Sequence, residues 1–122
     1  MEEVRELESI LNSVKKMIGI DQDYTVFDVD IITHTNTAFS ILHQLGVGPD
    51  EGFEVTDNTQ TWTDFMGDDP RLNFVKSWVT LKVKMLFDPP QSSALIDSAN
   101  RLLSELEWRI NVSVDPKDEG GE

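Results

Sequence analysis

The sequence predicts an all-α fold: a small bundle of four main helices, with a short irregular, β-like excursion between the second and third. Apolar residues recur at helical spacing in four separate stretches. Gly or Asp-Pro punctuation separates most of them. The length, 122 residues, fits one domain with one core. No apolar run approaches the ~18 residues that a bilayer span needs, and the acidic opening Met-Glu-Glu-Val-Arg-Glu is unlike a secretory leader. The chain is therefore expected to stay where it is made. There is no Cys, so disulfide and thiol chemistry are excluded.

The first helix is expected over Glu2–Ile18. Val4, Leu7, Leu11, Val14 and Ile18 form one stripe, with acidic residues in the first turns and Lys15 and Lys16 in the last, complementing the helix dipole. Gly19 is its stop. The linker Asp21-Gln22-Asp23-Tyr24-Thr25 resembles the start of a calcium loop, but the places that need Gly and a carboxylate hold Val26 and Ile32. Its carboxylates, with Asp28 and Asp30, are better read as stabilising the next helix start.

The second helix is expected from about Asp28 to Leu45, with Gly46 ending it. Its outer face, including Thr33, Thr37, Ser40, His43 and Gln44, is polar, yet no Asp, Glu, Lys or Arg occurs from Ile31 to Pro49. Charge is depleted at interface cores, so this face is a candidate contact. From Gly46 to Asp69 the pattern is irregular: a Gly-Pro turn, a short strand at Phe53–Val55, and one helical turn capped by Thr61. Asp50 to Asp69 holds seven carboxylates and no cation.

Asp69-Pro70 is expected to open the third helix, and Asp88-Pro89-Pro90 to end it. Leu72, Val75, Val79, Val83 and Leu86 make one apolar stripe on it. Phe74, Trp78, Leu81 and Met85 make a second, about 130° away. Two stripes mean either a central helix or one face reserved for a partner. The last helix, capped by Ser92 or Ser93, is expected to run to about Asn111. Its core stripe is Leu95, Ala99, Leu102, Leu103, Leu106 and Ile110. Trp108 falls near the opposite side, where an exposed indole is a common interface anchor. Residues 1–112 thus form the expected domain, and 113–122 an acidic tail expected to be disordered unless a partner holds it.

No catalytic constellation emerges. His34 and His43 lie too far round and along one helix to share a metal, and Gly46-Val47-Gly48-Pro49 follows a helix where a phosphate loop follows a strand. No enzyme activity, cofactor or metal is expected. The net charge of −13 argues against sequence-reading nucleic-acid binding, which needs clustered cations. It is compatible with DNA passing nearby without specific binding.

Four tracts resemble the small head–tail connector (adaptor, head-completion) proteins of tailed bacteriophages and prophages. They are Ile10–Ile20, the turn Gln44-Leu45-Gly46-Val47-Gly48-Pro49, the segment Trp62–Gly67, and above all Val75–Pro90. The resemblance reaches to about Val112. It implies a homo-oligomeric ring beneath the portal protein, extending the DNA channel and giving a platform to a stopper or tail-completion protein. It also implies assembly in the host bacterial cytoplasm, residence in the virion neck, no membrane and no catalysis. On that reading Thr33, Thr37, Ser40, Gln44, Phe74, Trp78, Leu81, Met85 and Trp108 are the candidate contact residues. Asp57, Asp64, Asp68 and Asp69 are the candidate channel-facing carboxylates. The alternative is an acidic protein-interaction or DNA-mimic regulatory module, which would display regularly spaced carboxylates on one face.

Overall fold

The computed structural model describes the backbone of residues 9–120 and the side chains of residues 9–112. Helix α1 spans Ile10–Ile18. Ser9 sets its start: its backbone is extended (φ −61°, ψ 129°) and its hydroxyl accepts from the Asn12 amide, satisfying one of the free N–H groups of the first turn. The single helix expected from Glu2 therefore breaks at Ser9, and the rest of that expectation, residues 1–8, lies outside the described residues. Gly19 closes α1 at φ 89°, with its amide bonded back to the last turn. Glycine adopts this left-handed ending without a Cβ clash.

Helix α2 spans Asp28–Gln44, and α3 is a single turn, Trp62–Met66. A complete capping box holds α3: the Thr61 hydroxyl accepts from the Asp64 amide at 3.1 Å, and the Asp64 carboxylate accepts from the Thr61 amide at 3.0 Å. Helix α4 spans Leu72–Phe87, two residues later than the Asp-Pro signal predicts. The Asp69 carboxylate accepts from the Arg71 amide at 2.9 Å and grips its guanidinium at 2.7 Å, so Pro70 and Arg71 form a turn ahead of the helix. Helix α5 spans Ser93–Gly120. Of the two candidate caps, Ser92 is the one used, accepting from the Leu95 amide at 3.4 Å. The α5 backbone continues past the expected end near Asn111.

Helix α4 is the centre of the bundle and packs against α1, α2 and α5. The core joins Ile10 and Val14 of α1, Ile31, Phe39 and Leu42 of α2, Val75, Trp78, Val79 and Val83 of α4, and Leu103, Leu106 and Ile110 of α5. The irregular segment folds onto the same core. Val47, Val55, Trp62 and Phe65 are buried, and the Phe53 and Phe65 rings stand 5.4 and 4.5 Å from that of Phe39. Gly48, at φ 93°, lies flat against Phe65, where a Cβ would come within 2.5 Å of the ring.

The strand expected at Phe53–Val55 forms no ladder. Among the described residues the one β-bridge joins Ser9 and Thr61. A side chain substitutes for the missing partner strand. The Asn36 amide oxygen accepts from the Val55 N–H at 2.7 Å, and its nitrogen donates to the Val55 carbonyl at 2.9 Å, so both backbone groups of a buried residue are satisfied. Among the described residues no helix is long and apolar enough to cross a membrane.

Candidate assembly surfaces

The uncharged face of α2 is exposed as expected: Thr33, Thr37, Ser40 and Gln44 all face solvent. The Thr33 and Thr37 hydroxyls donate to carbonyls one turn back, at 2.9 and 3.1 Å, so neither donor is left for a partner. Val29, 76% exposed, extends the same row toward the start of the helix. Asn36, between Thr33 and Thr37 in sequence, turns inward to hold Val55.

The second α4 stripe is placed differently. Trp78 is fully buried, and its indole N–H donates to Glu107 of α5 at 3.0 Å. Phe74, Leu81 and Met85 are half-buried against the core. Trp78 therefore packs within the bundle, against α5, while Phe74, Leu81 and Met85 keep part of their surface exposed. Trp108 is 60% exposed, on the side of α5 away from its core stripe, as its spacing predicts.

Leu95 and Leu102 depart from the expected core stripe and are also exposed. Among the described residues α5 packs chiefly on α4, and one neighbour covers a narrower arc than the sequence pattern offers. Leu103, Leu106 and Ile110 occupy that arc. Leu95 and Leu102 fall roughly 50–75° from its centre at ~100° per residue.

The sequence reading missed a second exposed apolar cluster, at the α1–α2 connection. Tyr24, Val26 and Phe27 are exposed there, as is Leu86 at the end of α4. The rings form a chain: Tyr24 to Phe27 at 5.8 Å, Phe27 to Phe87 at 5.3 Å, and Phe87 to His34 at 6.4 Å. Buried Lys15, 1% exposed, holds this connection in place. Its ammonium donates to the Gln22 carbonyl at 3.0 Å, the Tyr24 carbonyl at 2.8 Å and the Asp28 carboxylate at 2.8 Å, using all three of its donors. Lys15 lies in the last turn of α1, where it complements the dipole as expected, but a role as a buried clamp goes beyond that expectation. The signal for burial is its position: it follows Leu11 by four and Val14 by one, inside the apolar arc.

Three of the four candidate channel carboxylates have local partners. Asp57 accepts from the Thr59 hydroxyl at 2.6 Å and amide at 2.8 Å. These bonds hold its pKa below the ordinary value of 3.8. Asp64 closes the α3 capping box, and Asp69 grips Arg71. Asp68 is exposed.

A groove of about 1110 Å³ opens between α1 and α4, lined by Asn12, Lys16, Trp62, Asn73, Lys76 and Thr80 among others. Its floor is fixed by the Trp62 indole, which donates to Ser13 at 3.2 Å and lies 5.8 Å beneath the Lys76 ammonium. This is a cation–π contact.

Comparison with curated proteins and with solved structures gave no match. The family model of the phage connector proteins matches residues 10–117, from the first residue of α1 into the last turns of α5, and the chain belongs to that family of structural proteins.

Proposed function

We propose that this connector is the repeating subunit of a ring seated beneath the portal, that the ring extends the DNA channel, and that it offers a docking platform to a stopper or tail-completion protein. Family membership supports a structural role between phage head and tail. The observation that carries the ring is the apolar surface left uncovered in a chain of net charge −13. It lies on two different elements: Leu95, Leu102 and Trp108 on α5, and Val26, Phe27 and Val29 at the α1–α2 corner. A closed ring of more than two subunits needs two unlike contact faces on each copy, and exposed apolar groups of this size mark contacts. The uncharged row Thr33, Thr37, Ser40 and Gln44 continues the second face along α2. Asp57, Asp64 and Asp68 suit a channel wall that repels DNA and lets it slide, whereas Asp69, neutralised by Arg71, contributes position and not net charge.

The test is electron microscopy and native mass spectrometry of the full chain, alone and with the portal protein of the same phage. Rings are expected on the portal. Val29→Glu with Trp108→Glu should keep the helical circular dichroism and lose the rings. Rings that survive both changes overturn the face assignment, and a wild-type chain that forms none in either setting overturns the ring.

A further inference from the structure

We infer that the groove between α1 and α4 is a socket for the acidic C-terminal segment of a second copy of this chain. The inference rests on the ring reading for its setting, but its evidence is separate. The described part of the chain has four cations without a carboxylate partner: Lys16, Lys76, Lys82 and Arg101. Lys15, Arg71, Lys84 and Arg109 are each paired. Two of the four, Lys16 and Lys76, line this one groove. Its one acidic lining residue, Asp21, accepts from the Asp23 amide at 3.1 Å within its own loop. In a chain with 23 carboxylates and 10 cations, two such lysines lining one groove make it a positive site. Asn12 and Asn73 beside them supply neutral amide donors, and the indole holds the Lys76 ammonium at the groove.

The matching anion is in the sequence after Val112, which carries Asp115, Asp118, Glu119 and Glu122 against the single cation Lys117. Geometry assigns that segment to another copy. Helix α5 has 28 residues and α4 has 16, or about 42 and 24 Å at 1.5 Å per residue. The Trp78–Glu107 bond sets their levels. Helix α4 begins six residues before Trp78, so the antiparallel α5 passes that end near residue 113 and its last turns overhang the bundle. The α4 residues that line the groove, Asn73, Lys76, Ser77 and Thr80, sit about 120° around the helix from the stripe of Trp78, which packs on α5. A continuous α5 leads its acidic end past the bundle, on the side away from its own groove and free to enter that of a neighbour.

Zero-length carbodiimide cross-linking tests this directly, since it joins an amine to a carboxylate only in contact. Equal amounts of ¹⁴N- and ¹⁵N-labelled full-length chain are mixed at about millimolar concentration and the linked peptides are read by mass spectrometry. Mixed-isotope links from Lys16 or Lys76 to Asp115, Asp118, Glu119 or Glu122 are expected. They should exceed links from Lys82 at least fivefold and fall severalfold in 0.5 M salt, because screening weakens such pairs. Links within one copy only, links to Lys82 as abundant, or no links each overturn the inference. A charge exchange gives the second reading: Lys16→Glu with Lys76→Glu should lower the mixed links to the background seen at Lys82. Links made from the reversed tail, Asp118→Lys with Glu119→Lys, to those new glutamates should restore them. Failure of the exchange also overturns it. Mixed links from a chain that never forms rings would retire the ring and leave the socket. Rings without the links would do the reverse.

Discussion

Replacing Lys15 by Met tests whether a buried cation organises the exposed corner between α1 and α2. Methionine keeps the length and most of the volume of the stem, so the change removes the ammonium and little packing. Three bonds of 2.8 to 3.0 Å disappear together. A hydrogen bond to a charged group contributes about 1.5–3 kcal/mol, and breaking a fully buried ion pair costs about 3–5 kcal/mol. Neither figure applies in full. Asp28 is 26% exposed and rehydrates when its partner leaves, and the two carbonyls lie in a loop that water reaches. The three bonds also share one donor atom and do not add. A loss of about 2–4 kcal/mol follows. At roughly 4 °C per kcal/mol for a domain of this size, the midpoint should fall by about 8–16 °C. Urea unfolding followed by circular dichroism measures it, with the slope unchanged. Asp28→Asn, which leaves both carbonyl bonds, should cost less than Lys15→Met. A Lys15→Met loss below about 1 kcal/mol, or an Asp28→Asn loss as large as that of Lys15→Met, would refute the clamp.

Trp78→Ala should destabilise the isolated chain by about 3–5 kcal/mol, because the ring is fully buried against α5; a folded, equally stable monomer would return Trp78 to the contact face. Asn36→Ala removes both bonds to Val55 and should cost about 1–3 kcal/mol, with hydrogen exchange at the Val55 amide faster by more than tenfold and exchange in α5 following only the global loss. The Asp57 carboxyl has a folded pKa below its ordinary 3.8. The turn it holds is therefore favoured above that value and loses this support as pH falls through the lowered one. The Thr59 amide resonance should titrate with a midpoint below 3.8 and stop titrating in Asp57→Asn; a midpoint at or above 3.8 contradicts the bonding.

The four-helix layout was legible because period and punctuation agree in α2 and α4. The ends were less so, and for identifiable reasons. Ser9 interrupts an apolar stripe without disturbing its spacing, and a stripe carries no sign that the backbone has turned extended. At Asp69-Pro70 the carboxylate that looked like a cap does bond a backbone amide, but that of Arg71 in a preceding turn. Phe53–Val55 has strand composition, and Val55 has the backbone needs of a strand residue. A single Asn nineteen positions earlier meets them, which no local pattern reports.

The contact surfaces were legible where they depended on missing charge, as on α2, and illegible where they depended on how much of an apolar arc the fold covers. Periodicity lists the apolar residues of α5 without saying that one neighbour reaches only Leu103, Leu106 and Ile110. The excess has an energetic meaning. Leu95, Leu102 and Trp108 are 48–60% exposed, and complete burial of a large apolar side chain contributes about 1.5–3 kcal/mol. Covering what remains exposed on the three therefore contributes about 2.5–5 kcal/mol, and the facing Val26, Phe27 and Val29 of a neighbour about as much again, a total at the low end of the ~4–15 kcal/mol that association of two free bodies costs. One such contact holds a pair only weakly in dilute solution. Two faces per subunit in a closed circle hold each copy firmly once a template raises the local concentration so that each addition is nearly intramolecular. A connector built this way is expected to stay weakly associated alone and to close its ring on the portal, so that assembly follows the partner's presence and does not compete with it.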